Sequence, residues 1–517
     1  MLAQNQSPPY TLGPLDLSGM ARLARIIAPT LKPGDALTLK GEIGAGKTAF
    51  SRFLIRALTG DAAMDVPSPA FSLHQTYDTP SFRISHFDFY RLKHESEVAE
   101  LGLADALASD VTIIEWPERA GGAIMGDGLQ LIFTETANTD ARLITLTGCG
   151  RFATKAGRLV AIFGFLSNGK WTDAAIEPLT GDASTRVYYR LRRGGETALL
   201  MDWPRQPDGP PIRGGKPYSQ IAHLAEGVPQ FVAIASALRE TGLGVPELYQ
   251  SDLDNGLLIL EDFGDEVFQT LATSGHDMAP LWRLAVDGLI PLRQHQTPQT
   301  LSAGGDEIPM RRYDHEALGI ETELLLDWYL PEMSGAAPSS QGRHDFLTIW
   351  RSHFDWLAAQ THEIGWVLRD YHSPNLLLRD GGDGPARLGV IDFQDALIGH
   401  RAYDLAALLQ DARVDVPQTL EQDLLAYYLT AASRDPQFDA AAFTRAYATL
   451  GAQRATKILG IFVRLNKRDG KPAYLRHIPR IAGYLGRNLQ HPDLADLKAW
   501  HAKHLPNLLL EGGSHDG

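Results

Sequence analysis

Two stretches of this chain hold the side chains that phosphate chemistry needs, at the spacing it needs. Gly41-Glu-Ile-Gly-Ala-Gly-Lys-Thr48 meets the pattern G-x-x-x-x-G-K-[ST] at every fixed position. A loop of this kind folds into a nest of backbone N–H groups at a helix N-terminus, which stabilises an anion. Gly41, Gly44 and Gly46 let the backbone approach nucleotide phosphates without Cβ clashes, and Ala45 lies in the same phosphate loop. Lys47 brings a positive charge to the β- and γ-phosphates, and Thr48 supplies a hydroxyl ligand for Mg²⁺. The second stretch runs from Val367 to Leu378, with Asn375 five residues after Asp370, and Asp392 follows at the end of the apolar run Leu388 to Ile391. That Asp-to-Asn spacing belongs to a kinase catalytic loop, and an aspartate after an apolar strand is its metal partner. Asp370 is predicted to accept the proton of a substrate hydroxyl, with Asn375 and Asp392 holding Mg²⁺ on ATP.

Other residues gather around the first stretch. Arg83 to Arg91 alternates as a strand does, with Ile84, His86, Asp88 and Tyr90 on one face. His, Asp and Tyr together are unusual for core packing, so Asp88 is predicted near the nucleotide, as a water-positioner or an outer partner of Mg²⁺. Val111 to Glu115 is an apolar strand ending in an acid, which nominates Glu115 as a second metal-organising carboxylate, with Glu118 as the other candidate. Val66-Pro-Ser-Pro-Ala-Phe-Ser-Leu73 is a proline-shaped loop. Ser68 within it either senses the γ-phosphate or sits in a rigid connection. Around the second stretch, the small-residue hairpin loop Gly181 to Thr185 is predicted to cover phosphates through Gly181 and Ser184.

These residues need elements to position them. Asp16 to Ala28 has helical apolar spacing, Asp35 to Lys40 reads as a strand entering the glycine loop, and Ala49 to Leu58 reads as the helix leaving it. The glycine-bearing segment at 150–157 marks a boundary, giving domains over 1–152 and 158–517. In the second, strands precede helices, which predicts a two-lobed α+β domain. The run from Arg445 to Arg487 carries many cations and one acid, Asp469. It reads as the solvated face of helices.

Composition narrows the function classes. Hydrophobic residues at 44% and charged residues at 21% describe a soluble globular chain, and its 517 residues predict two or three domains. The net charge of −14 divides into −5 before residue 150 and −9 after it, which argues against either part clamping nucleic acid. A single cysteine, Cys149, suits a reducing cytosol. No apolar run approaches the ~18 residues of a membrane span, and the N-terminus lacks signal-peptide character. The expectation is a cytoplasmic protein with no membrane partner.

Taken together, the glycine loop, Val66 to Leu73, His86-Phe-Asp-Phe-Tyr-Arg-Leu92 and Ile113-Ile-Glu-Trp-Pro-Glu-Arg119 resemble the bacterial tRNA threonylcarbamoyladenosine biosynthesis ATPase family, TsaE, over about residues 10–150. The resemblance implies an α/β P-loop NTPase domain that hydrolyses ATP. It also implies partner proteins of the TsaD/TsaB type, with which it supports threonylcarbamoylation of tRNA adenosine 37. Thr48 and Glu115 fall on that family's Mg²⁺ positions; Pro67 and Ala70 stand where it usually carries threonines. Asp370-Tyr-His-Ser-Pro-Asn375 resembles the aminoglycoside phosphotransferase superfamily. With Gly181-Asp-Ala-Ser-Thr-Arg186, Gly389-Val-Ile-Asp-Phe-Gln-Asp395 and Tyr403-Asp-Leu-Ala-Ala-Leu408 it is similar to the amino sugar kinases of the AmgK type. This implies an α+β two-lobed kinase-like fold and ATP-dependent phosphorylation of the anomeric hydroxyl of N-acetylmuramate or N-acetylglucosamine in cell-wall recycling. Met201 stands near the place of a missing nucleotide-binding lysine, and Leu368 replaces a common histidine. Two alternatives stay open. The C-terminal part phosphorylates another small molecule or a protein with the P-loop part as a regulatory switch, or it is a non-catalytic scaffold.

Overall fold

The computed structural model describes residues 6–121, 127–179, 186–381, 384–506 and 508. The chain forms two compact units: one of residues 1–203 and 250–260, the other of 204–249 and 261–517.

The first unit begins with strand β1 (Tyr10–Leu15) and helix α1 (Leu17–Ile27). Asp16 caps α1 by accepting the Gly19 N–H at 2.8 Å, and the helix buries Met20, Leu23, Ala24 and Ile27 on one side. Five further elements follow: β2 (Ala36–Lys40), α2 (Lys47–Thr59), β3 (His74–Asp78), β4 (Arg83–Asp88) and β5 (Val111–Glu115). With β6 (Gly128–Glu135) and β7 (Arg142–Cys149) the seven strands order as β1-β7-β6-β2-β5-β4-β3. β2 is parallel to β5 and to β6, and β5 is parallel to β4. The carboxyl ends of β2, β4 and β5 therefore open on one side, where α/β sheets bind ligands.

The boundary expected at 150–157 lies inside this unit. Gly150–Phe152 is a 3-10 turn, and α3 (Ala156–Leu166) follows it. The chain then enters β8 (Ala175–Leu179), β9 (Val187–Arg193) and β10 (Glu196–Asp202), which join β11 (Leu248–Asp252) and β12 (Leu257–Glu261) in the order β11-β12-β10-β9-β8. One buried apolar cluster runs from Leu37 and Ile113 of the first sheet and Phe50 of α2 through Leu159 and Phe163 of α3 to Leu191, Leu200 and Ile259 of the second sheet. Arg22 of α1 ties across, its Nε to the Thr172 carbonyl at 2.9 Å and its Nη1 to Ser167 at 2.9 Å.

The second unit is mainly helical. Its longer helices include α4 (Val228–Glu240), α5 (Met278–Gln294) and α6 (His315–Leu324). Two short antiparallel ribbons carry the loops. β13 (Ile364–Val367) pairs with β16 (Leu397–His400), and β14 (Leu376–Leu378) pairs with β15 (Leu388–Val390). The loop from 368 to 375 joins β13 to β14, and the one from 391 to 396 joins β15 to β16. Helices α7 (Ala402–Leu409) and α8 (Ala440–Asp469) pack behind them. No helix among the described residues is long and apolar enough to cross a membrane.

Candidate active sites

At the first site β2 delivers the glycine loop and α2 leaves it. Gly46, with φ 100°, caps α2 and offers no side-chain hydrogen bond to the first turn. The leading N–H groups of α2 are thus available to an anion. Gly41, with φ 149°, lies so close to β6 that a Cβ would meet the Phe133 carbonyl at 2.7 Å. Gly44, Ala45, Gly46, Lys47 and Thr48, together with Ser68, Asp88, Tyr90, Glu115 and Trp116, line a cavity of about 320 Å³.

The cavity's charges are arranged in a ladder. Lys47 Nζ donates to the carbonyls of Gly41 at 2.7 Å and Glu42 at 2.8 Å, and lies 4.0 Å from the ring centre of Trp116. Burial pushes its ammonium pKa down, opposed first by the Glu115 charge. Glu115 accepts from the Thr48 hydroxyl at 2.9 Å and the Ser51 hydroxyl at 3.0 Å, and His86 Nε2 stands 3.0 Å from the same carboxylate. Asp88 sits directly opposite Glu115 in the parallel register of β4 and β5. It accepts from the Ser68 hydroxyl at 3.2 Å and the Tyr90 N–H at 3.0 Å. Burial, with the Glu115 charge behind it, pushes the Asp88 carboxyl up, and those two hydrogen bonds offset this only in part. Two buried carboxylates and a hydroxyl are hard oxygen donors of the kind that suits Mg²⁺.

The sequence-nominated residues Gly44, Ala45, Gly46, Lys47, Thr48, Asp88 and Glu115 meet here, with Gly41 at the start of the loop. Glu118, on the 3-10 turn Pro117–Ala120, is not part of the cavity lining. Ser51, His86 and Trp116 were not nominated as site residues. Ser51 was within reach of pattern reading, because it lies one helical turn after Thr48 on α2. The ring position of Trp116 was not, since it depends on a backbone at φ 57° in the left-handed region.

At the second site the two loops meet face to face. Asn375 Nδ2 donates to the Asp370 carbonyl at 3.0 Å and to Asp392 Oδ2 at 3.2 Å, and Gln394 Nε2 donates to Asp392 Oδ1 at 3.0 Å. His372 Nε2 lies 4.0 Å from Asp370 Oδ1. Burial pushes its imidazole pKa down, so it is neutral at neutral pH. Oxygen donors from one amide and one carboxylate suit Mg²⁺, which shares its shell with phosphates and water. Among the described residues no group of three or more His, Cys, Asp or Glu forms a protein-only metal cage. Gly181 and Ser184 lie outside the described residues.

Two non-glycine residues here adopt the left-handed backbone region: Arg369 at φ 72° and Asp392 at φ 62°. Such conformations cost about 1–3 kcal/mol and persist only where neighbours over-determine them. Asp404 of α7 supplies that restraint, accepting the N–H of Leu368 at 2.6 Å and of Arg369 at 2.9 Å. The Arg369 guanidinium is buried, donating to the Ala222 carbonyl at 2.9 Å and pairing with Glu321 of α6. Lys457 of α8 meets Glu321 at 2.8 Å. The cations of Lys457 and Arg369 overcome burial and hold the Glu321 carboxyl at about 2. The basic run expected to be a solvated face therefore turns part of itself inward, with Arg454 buried and Lys457 ion-paired. The Asp404 brace holds the loop where Leu368 replaces a histidine, and Met201 is fully buried in β10.

Residues 16–144 match the model of the threonylcarbamoyl adenosine biosynthesis protein TsaE, and residues 175–444 match that of the phosphotransferase enzyme family. The chain is 38% identical to an N-acetylmuramate/N-acetylglucosamine kinase of Caulobacter vibrioides over 66% of its own length and 95% of that protein. It is 32% identical to the protein of that name from Pseudomonas aeruginosa over 64% of its own length and 88% of that protein. A tRNA threonylcarbamoyladenosine biosynthesis protein TsaE of Rickettsia felis is 45% identical over 19% of this chain, an alignment that spans 56% of the Rickettsia protein. The chain belongs to the phosphotransferase enzyme family and carries a TsaE domain ahead of that region.

Proposed function

We propose that the chain is bifunctional, with an N-terminal ATPase that supports threonylcarbamoylation of tRNA adenosine 37 and a C-terminal kinase that phosphorylates the anomeric hydroxyl of N-acetylmuramate or N-acetylglucosamine. The observation that carries the kinase reading is the likeness to the Caulobacter kinase across 95% of that protein. The convergence of Asp370, Asn375 and Asp392 supports it.

In this reading Asp370 accepts the proton of the sugar hydroxyl as that oxygen attacks the γ-phosphorus of ATP and the bond from that phosphorus to the β-phosphate oxygen breaks, ADP leaving. Asn375 and Asp392 would hold Mg²⁺. Bound Mg²⁺ neutralises charge on the phosphate oxygens. Asp404 keeps the loop bearing Asp370 in register, and Gln394 fixes the rotamer of Asp392. At the first site Lys47 and the N–H groups of α2 bind the phosphates, Thr48 and Glu115 would hold a second Mg²⁺, and Asp88 with Ser68 orients the attacking water. Partners of the TsaD/TsaB type would take the outcome of that hydrolysis to tRNA.

The test is ADP release by the full chain, offered N-acetylmuramate, N-acetylglucosamine, glucose, choline and kanamycin in turn. Stimulation by the N-acetyl amino sugars is expected. Stimulation by another acceptor alone would replace the substrate assignment and leave only the phosphotransferase family.

A further inference from the structure

Helix α2 begins at the glycine loop and ends, at Thr59, on the wall of a second cavity of about 850 Å³. Small-molecule pockets span roughly 300–1,000 Å³. The walls come from both sequence regions joined in the first unit. Phe53, Leu58 and Phe82 stand on one side, and Ile176 and Pro178 of the edge strand β8 on the other.

Two guanidinium groups, Arg25 of α1 and Arg56 of α2, line this largely apolar space. Arg56 Nε donates to the Met64 carbonyl at 2.9 Å. Arg25 Nε is buried with no hydrogen-bond partner among the described residues. Burial and the neighbouring Arg22 push the Arg25 pKa down, against the pull of Asp173. The nearby acids are engaged elsewhere: Asp173 binds Arg193 at 2.7 Å, and Glu177, on the cavity wall, pairs with Arg192 at 2.9 Å. With Arg25 Nε enclosed and Arg56 Nε engaged, the terminal guanidinium nitrogens are the donors left for a carboxylate, which such planar groups meet in a bidentate way.

We propose that this cavity is a binding site for a small organic carboxylate with an aromatic or branched apolar body, its anion held by Arg25 and Arg56. The apolar body fits against Phe53, Phe82 and Ile176. Pairing of a peptide strand with β8 is a poorer use of the space, because Pro178 offers no N–H to such a partner. A ligand seated here touches the far end of the phosphate-loop helix and the edge of the second sheet at once.

Calorimetric titration of the full chain with 2-naphthoate, against neutral 2-naphthamide, tests the assignment. Saturable binding of the carboxylate is expected, with the amide weaker by about ten-fold or more, the effect of losing one charge-assisted contact. Arg25→Met should bring 2-naphthoate down to the affinity of the amide. Ala175→Trp, which fills the cavity from the β8 side, should abolish binding. ATP hydrolysis should be unchanged in both variants, and either variant alone suffices if the other fails to fold. Equal affinity for the two probes, no saturable binding, or binding indifferent to both substitutions would overturn the proposal.

Discussion

At the first site the groups proposed to meet phosphate come from eight consecutive residues, Gly41 to Thr48, whereas at the second Asp370, Asn375 and Asp392 come from two loops held by side chains distant in sequence. The difference is one of material. Backbone N–H groups at a helix start need only glycines and a strand-to-helix turn, all of it local. Side-chain oxygens on loops with left-handed residues need outside restraint, which Asp404, Glu321 and Lys457 supply from three helices. A site of the first kind tolerates a changing surround, while one of the second kind is only as rigid as its braces.

The contrast can be broken at its centres first. Asp370→Asn in the full chain should lower sugar phosphorylation by about 10²–10⁴-fold, the range of a lost general base, while ATP still binds. A coupled ADP assay together with nucleotide titration would separate turnover from binding, and retained turnover removes Asp370 as base. Lys47→Ala in the Asp370→Asn background should reduce the residual ATP hydrolysis by about 10²–10³-fold, as for loss of one preorganised electrostatic contact. Placed instead in the otherwise native chain, Lys47→Ala should leave sugar phosphorylation untouched; loss of both activities would mean the sites are not separate.

Smaller changes sharpen the contrast. Ser51→Ala removes one of the hydrogen bonds that orient Glu115, a contribution of about 0.5–1.5 kcal/mol. A fall of about three- to ten-fold in first-site ATP hydrolysis is expected, read as phosphate release, with the second site unaffected.

The smallest expected effect concerns pH. Burial raises the Asp404 carboxyl to about 7, so the folded protein keeps a proton that the unfolded chain releases near pH 4. The unfolded state then binds fewer protons than the folded one between about pH 4 and 7, and this group's contribution to stability falls as pH rises through that window. Asp404→Asn cannot ionise and should lose that downward slope. It also gives up an acceptor for one of the two loop N–H groups. Melting temperature against pH for both proteins would show it, and parallel curves would count against the raised carboxyl.

Much of this molecule was legible before any coordinates. The helix expected from Asp16 to Ala28 is α1 with Asp16 as its cap, and the strand and helix flanking the glycine loop are β2 and α2. Their signals are local: a capping side chain, a 3.6-residue apolar period and glycines where the backbone must turn. Asp88 and Glu115 were nominated separately, each from the end of its own strand, but their facing position follows from the parallel pairing of β4 with β5. The basic run on α8 misled for a related reason. Charge counting sees Lys457 and Arg454 but not Glu321, which lies more than a hundred residues earlier and draws Lys457 inward.

Packing also joined what composition separates. The glycine-bearing segment at 150–157 has the character of a linker, yet the apolar faces of α1 and α3 meet and carry one core from the first sheet into the second. The sequence by itself determined the chemistry on offer, because the phosphate loop, the Asp370 to Asn375 spacing and the acid after each apolar strand are properties of short, contiguous stretches. Tertiary structure alone decided which carboxylates face each other, which helix braces the loop bearing Asp370, and that Arg25 and Arg56 line one cavity. Those outcomes depend on strand register and on burial, which are set by contacts between residues far apart along the chain.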